Sequence, residues 1–314
     1  MKLQSFAIAA ATGLFMAATN SAFAFDLGII AFQMSAETHA RCANAAEAAA
    51  REKGWTATVL NSNGALPTHA QQIQDLVQKK VNGIILCMSK PVQFDAQLAA
   101  ARKAGIPVIS VMSGGSSQTL FDIEDNEYAA GAMSALYLFG KIGYEGAILT
   151  ERFDGNVGTR IRGKVLDVVL SENTGVTVAG SHSMAKTASW QDDVRKGMQA
   201  LILQNAGNFK GVWASFDGQA FIIDDLLRDQ GLKKGDVTLV STDGGPEAFR
   251  RIKDPDSMLT ATVAIPFEAM GKAAVDDMER IAVKGASKES IVSGPYLYMP
   301  AELVDASNVD RFLK

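Results

Sequence analysis

From residue 27 onward, short β-rich runs alternate with longer stretches of helical period, and after Ile123 the alternation begins again. This rhythm constrains the chain more than any single motif does. Strands separated by helices are joined by crossovers, and a crossover returns each strand parallel to the last. The first series comprises a run at 27–31, a helical stretch at 38–53 closed by Gly54, a run at 56–60, a helix at 67–80, a run at 83–86, a helix at 94–104 and a run at 108–111. Gly54 stands where a helix prefers glycine just past its end. Gly83-Ile84-Ile85-Leu86 and Pro107-Val108-Ile109 are continuously apolar, as strands covered on both faces are. The second series runs through helices at 127–141, 157–171, 189–205 and 219–230, a short one near 247–252, and strands at 146–149, 176–180, 211–214 and 237–240. The expected fold class is α/β, with two doubly wound parallel-sheet lobes. No Pro/Gly/Ser-rich tether separates the halves, which predicts several short crossings between closely apposed lobes and a hinged clamshell.

The first residues carry an address rather than structure. Lys2 precedes an apolar run at 6–18, and Ser21-Ala22-Phe23-Ala24 supplies a small-residue ending. The run is shorter than the roughly 20 residues a membrane span requires. It reads as a secretory signal peptide, residues 1–24, cleaved after Ala24, and predicts export to the periplasm. The remainder is long enough for two domains of ordinary size. A formal charge of -4, without a long basic run, lacks the electrostatic footprint of a nucleic-acid binder, so none is expected as a partner. Only Cys42 and Cys87 are present, which is no disulfide framework. Two buried free thiols are the preferred reading, and sequence leaves a bond between them open.

Ligands of open α/β sheets bind beyond the carboxyl ends of the strands, which directs attention to the residues just after each run. These are Phe32 and Gln33, Cys87, Met112 and Ser113, Phe153 and Asp154, Phe216 and Asp217, and Thr242-Asp243-Gly244-Gly245. Asp243 is the most informative, since a carboxylate ending a buried strand can offer both oxygens to a cleft. The alternative is that it caps the helix beginning near Pro246. Arg160 and Arg162 follow Gly155-Asn156-Val157-Gly158 at a strand-to-helix opening, where a guanidinium fork suits hydroxyls or carboxylates. A solvated surface arginine is the competing reading for each. Trp190 stands where a β-run gives way to a helix, and its ring serves either as a packing anchor or as a platform for a ligand ring. Catalytic signatures are missing: there is no G-x-G-x-x-G after a strand, no phosphate loop, no H-E-x-x-H and no G-x-S-x-G. His39, His69 and His182 are too scattered to suggest a metal site. No catalytic residue, metal or cofactor is expected.

Taken together, the order and spacing of these segments resemble the type I periplasmic binding proteins of ABC transporters, in particular the ribose-binding and related sugar-binding group. The resemblance covers nearly the whole mature chain. It rests on Gly83-Ile84-Ile85-Leu86, Ala104-Gly105-Ile106-Pro107-Val108-Ile109, Arg160-Ile161-Arg162-Gly163, Gly211-Val212-Trp213-Ala214 and Ser241-Thr242-Asp243-Gly244. It implies a three-segment hinge with crossings near Glu124, Ile265 and Gly294. The N-terminal lobe is then 25–123 plus 266–292, the C-terminal lobe 124–265 plus 293–314, and the final strand at 296–299 rejoins the second lobe. By the same resemblance Asp243 is similar to the family's ligand-binding aspartate, Arg162 to its ligand-binding arginine and Trp190 to the aromatic that stacks on a sugar. Elsewhere the chain departs from the pattern: Met112-Ser113 replaces an Asp-Arg pair, Phe216 an asparagine and Ile265 a glutamine, while Thr38-His39 stands for an aromatic pair and Phe32 takes an earlier position. The implied ligand-binding set is Phe32, Gln33, His39, Cys87, Met112, Ser113, Arg162, Trp190, Phe216, Asp217, Asp243 and Ile265. Fewer polar partners point to a smaller or less hydroxylated guest than a hexose, such as a pentose, a deoxysugar or a polyol. The implied role is a monomeric solute-binding component serving an inner-membrane ABC permease. A chemoreceptor-docking sensor is the alternative, and a secreted enzyme lacks a motif to support it.

Overall fold

The computed structural model describes residues 25–185 and 189–313, so the expected signal peptide lies outside the described residues. The chain first runs β1 (Asp26–Ala31), α1 (Glu37–Glu52), β2 (Thr56–Asn61), α2 (Leu66–Gln78), β3 (Gly83–Cys87), α3 (Asp95–Lys103), β4 (Val108–Val111) and β5 (Asp122–Glu124). It crosses to a second lobe of α4 (Glu127–Lys141), β6 (Gly146–Arg152), α5 (Val157–Glu172), β7 (Val176–Ser183), α6 (Trp190–Gln204), β8 (Gly211–Ala214), α7 (Asp217–Asp229), β9 (Thr238–Asp243), α8 (Pro246–Lys253) and β10 (Leu259–Ala264). It then returns through α9 (Phe267–Met278) and β11 (Tyr296–Tyr298) before ending with β12 (Glu302–Asp305). The two sheets have the orders β2-β1-β3-β4-β5-β11 and β7-β6-β8-β9-β10-β12, and only β12 is antiparallel to its neighbour. Both sheets reverse their winding at the first strand of the lobe.

Strand alternation decides which core each side chain enters. Ile29, Ile85 and Ile109 turn to the α1 and α9 side, while Ile30, Leu86 and Val108 join Ile73, Leu76 and Leu98 from α2 and α3. Both faces of β1 and β3 are therefore dry, and each fully buried Ile or Leu contributes about 1.5–3 kcal/mol. In the second lobe Leu149, Val212 and Leu239 face α6 and α7, and Ile148, Trp213 and Val240 face α4 and α5. The Trp213 indole donates to Ser134 Oγ at 3.0 Å, so its one polar atom is satisfied in the core.

The last crossing corrects the expectation for residues 293–299. Tyr296–Tyr298 does not rejoin the second lobe. It adds in parallel to β5, pairing Tyr296 with Asp122 and Tyr298 with Glu124. The physical reason is that β5 is a short strand whose far edge is otherwise unpaired, and the chain leaving α9 reaches that edge first. The crossing therefore falls between Tyr298 and Glu302, and β12 pairs with β10 in the second sheet. The pattern read from sequence does not single out β10, α9 or β12.

Helices α4 and α5 approach unusually closely. A Cβ at Gly131 would lie 2.9 Å from the Arg162 Cα and 3.1 Å from the Val165 Cβ. Substituting Gly131→Ala should cost about 1–3 kcal/mol through overpacking, read as a lower urea midpoint at unchanged slope. An unaltered midpoint would show that the helices yield freely.

Candidate functional site

The first crossing, helix α5 and the end of β9 meet around a buried arginine. Arg162 is 3% exposed, and its side chain spends every face. Nε and Nη2 grip the Glu127 carboxylate, the latter at 3.0 Å, while Nη1 donates to Ser215 O at 2.9 Å and to Asp243 Oδ1 at 3.1 Å. Two local features set this up. Asn126 caps α4 by accepting from Ala129 N, which fixes Glu127 in the first turn, and Asn156 caps α5 by accepting from Gly158 N. Burial alone would depress the guanidinium, but Glu127 and Asp243 push it up, so Arg162 is always charged. Arg160 instead donates to Asp154 O within its own loop, which leaves Arg162 as the arginine of the pair that enters the site.

Asp243 closes β9 with φ +133°, a left-handed backbone that a non-glycine residue rarely adopts. Gly244 follows at φ +65°, and a Cβ there would come within 2.4 Å of the Ala264 Cα. The turn is held from behind by Asp217, whose Oδ2 accepts from Gly244 N at 2.8 Å and whose Oδ1 accepts from Ser241 Oγ and Thr262 Oγ1. Asp217 thus has its oxygens occupied and positions Asp243 rather than facing a guest. Asp243 does not cap α8: the cap residue is Gly245, and no side-chain cap bond forms there.

Aromatic and thioether residues follow the strands of both lobes. Trp190 and Phe216 pack at 5.5 Å between centroids, with Phe153 against Phe216 at 6.3 Å. On the first lobe, Phe32 stands edge-on to His69 at 5.8 Å. His69 is fully buried, bridging Ser62 Oγ at 2.8 Å and Ser89 Oγ at 2.7 Å. Met112 adopts φ 49° at the end of β4, and its sulfur accepts from Asp125 N at 3.4 Å. The lobes touch where Arg41 of α1 donates to the Gly244 carbonyl while holding Glu268 of α9 at 2.6 and 2.9 Å.

Several expected contacts lie elsewhere. Cys87 is fully buried in the first-lobe core, its sulfur 2.6 Å from that of Cys42, because its strand parity matches Ile85 rather than the cleft. Ile265 is 1% exposed and packs in the same core beneath α9. Ser113 accepts from Ser89 N at 2.8 Å and donates to Val111 O at 2.8 Å, so it braces its loop. Gln33 is exposed, its amide on Ser35 Oγ, and its backbone donates to His39 Nδ1 at 3.2 Å. Burial pushes His39 and His69 down to about 4, so both rings are neutral near pH 7. Sequence reasoning missed Glu127, Arg41 and Asp125. Asp125-Asn126 before a helix was the available signal, but a helix cap explains only the asparagine.

Comparison with known proteins places this geometry. Residues 28–286 match the family described as periplasmic binding protein domain. A xylitol-binding protein of Mycolicibacterium smegmatis is 27% identical over 256 residues, covering 80% of this chain and 68% of that protein. Among solved structures, an ABC transporter solute-binding protein from Agrobacterium vitis with bound allitol superimposes with a TM-score of 0.78 at 22% identity, over 92% of this chain and 98% of that one. One from Mycobacterium smegmatis with bound glycerol gives 0.79 at 23% identity, over 93% and 97%.

The site leaves a thermal signature. Burial is the leading cause that pushes Asp125 and Asp217 up to about 7, Asp243 to about 6, and Glu124 and Glu151 to about 9. A carboxyl raised in the folded state stabilises fully at low pH, and that contribution is lost as pH rises through the folded value. His39 and His69, being lowered, act in the opposite sense only below the ordinary histidine value of about 6.5. The ligand-free protein should therefore lose Tm by scanning calorimetry as pH rises from about 6.5 to about 8.5. A flat or rising Tm across that window would contradict the assigned burial.

Proposed function

Because the chain belongs to the periplasmic binding protein domain family, we propose that it is the solute-binding component of an ABC importer and takes a small polyol between its lobes. The observation that carries this is the buried Arg162–Asp243 pair at the lobe boundary, next to the Gly244 carbonyl that Arg41 of the first lobe reaches. A carboxylate accepts from hydroxyls and a guanidinium donates to them, while apolar side chains cover the C–H faces of a carbon chain. Each lobe supplies part of the contact surface, so a bound solute stabilises the closed form, which is the shape a permease recognises. The xylitol-binding relative, 27% identical over 256 residues, supports an open-chain polyol as the first ligand to test. In this reading the protein acts as a monomer in the periplasm after cleavage behind Ala24, delivers its solute to an inner-membrane permease, and catalyses no reaction.

Calorimetric titration with xylitol, allitol, ribose and glucose tests the proposal directly. A polyol should bind tightest and glucose weakest. Asp243→Ala should weaken polyol binding about a hundredfold, since it removes a charged acceptor and leaves Arg162 short of a partner. Trp190→Ala should cost about tenfold through lost ring contact. Preference for glucose, or full affinity in Asp243→Ala, would refute the assignment.

A further inference from the structure

We propose that Asp125 is a ligand-binding residue of this cleft, and that its carboxylate accepts hydrogen bonds from two adjacent hydroxyls of a neutral polyol. The inference rests on the polyol reading above and names the group that anchors the diol. Asp125 lies in the first crossing, between β5 and α4, and is 1% exposed. Both of its oxygens lack a hydrogen-bond partner, and no other side chain among the described residues is left with two such atoms. An ionised carboxylate offers about four acceptor sites and no donor, and a buried polar group without partners is costly. Asp217, also buried, shows the ordinary solution, with three donors on its two oxygens.

The protein cannot supply the missing donors from the surrounding groups. Arg162 attracts Asp125, but its nitrogens are committed to Glu127, Ser215 and Asp243. The other charged groups facing Asp125 are Glu127 from α4 and Asp243 from β9, and both repel it. Its backbone N–H is bound to the Met112 sulfur at 3.4 Å, which ties this crossing to the end of β4. Burial raises Asp125 to about 7 in the empty protein, so a guest whose hydroxyls donate to the ionised form binds more tightly as pH rises through that value.

The test compares wild type with Asp125→Asn by titration with xylitol and allitol at about pH 6 and about pH 8, together with the ligand-free Tm. At the higher pH the variant should lose about tenfold or more in affinity, while its ligand-free Tm holds or rises because an unpartnered buried charge is gone. The gap between the two proteins should narrow at the lower pH. Unchanged affinity in Asp125→Asn overturns the assignment, as does a loss of affinity accompanied by a lower Tm, which marks a structural role. Wild type that binds neither polyol refutes the polyol reading, and this assignment with it. If the variant does not fold, wild-type titration at about pH 6.5 in two buffers of different ionisation enthalpy serves instead. Proton release on binding is then expected, and its absence overturns the assignment.

Discussion

The buried chain Glu127–Arg162–Asp243 organises the second lobe's contribution to the cleft. A guanidinium this deep is tolerable only when its donors are met, and removing one partner of such a pair costs about 3–5 kcal/mol. Meeting them demands three separate elements in register. Helix α4 must bring Glu127 to the crossing, α5 must pass close enough for Gly131 to touch the Arg162 backbone, and β9 must end in a left-handed turn. The fold around the site can be read as the means of satisfying that one side chain.

The same region holds features that weaken the empty protein. Asp243 adopts a backbone conformation that costs about 1–3 kcal/mol, and Asp217 with its three donors is needed to keep the turn in place. Burial disfavours the charge on several carboxyls nearby and pushes them up, Asp243 to about 6 and Asp125 and Asp217 to about 7. In the proposed reading, the hydroxyls of a guest satisfy the unpartnered Asp125 oxygens at this boundary between lobes, so binding and closure draw on one source of free energy.

How much was legible in the sequence depended on the range of the interaction. The alternation of runs and helices is local, and it located β1 to β4 and β6 to β9 because dry strands must be apolar and the helices between them carry a 3.6-residue period. Asp243 was expected in the site because it ends β9, whereas Arg162 and Trp190 lie within helices and were expected there from the family resemblance. Cys87 and Ile265 stand at strand ends too, yet they point into the first-lobe core, since parity along a strand, and not position, selects the face. The sheet to which residues 296–298 belong was illegible for a related reason: an edge strand joins whichever free edge it meets, and nothing in Tyr296-Leu297-Tyr298 names that edge.

By itself, the sequence determined two doubly wound lobes and the strand ends from which a site was proposed, because hydrophobic period and turn chemistry act over a few neighbours. Tertiary structure alone decided that Asp217 is a brace, that Glu127 is the partner of Arg162, that Arg41 reaches Gly244 across the cleft and that Asp125 is left without a donor. Those outcomes depend on pairs 24 to 203 residues apart. Whether a charged side chain is satisfied, spent or waiting is set by which distant groups the packing brings within hydrogen-bond reach, and no local pattern encodes that.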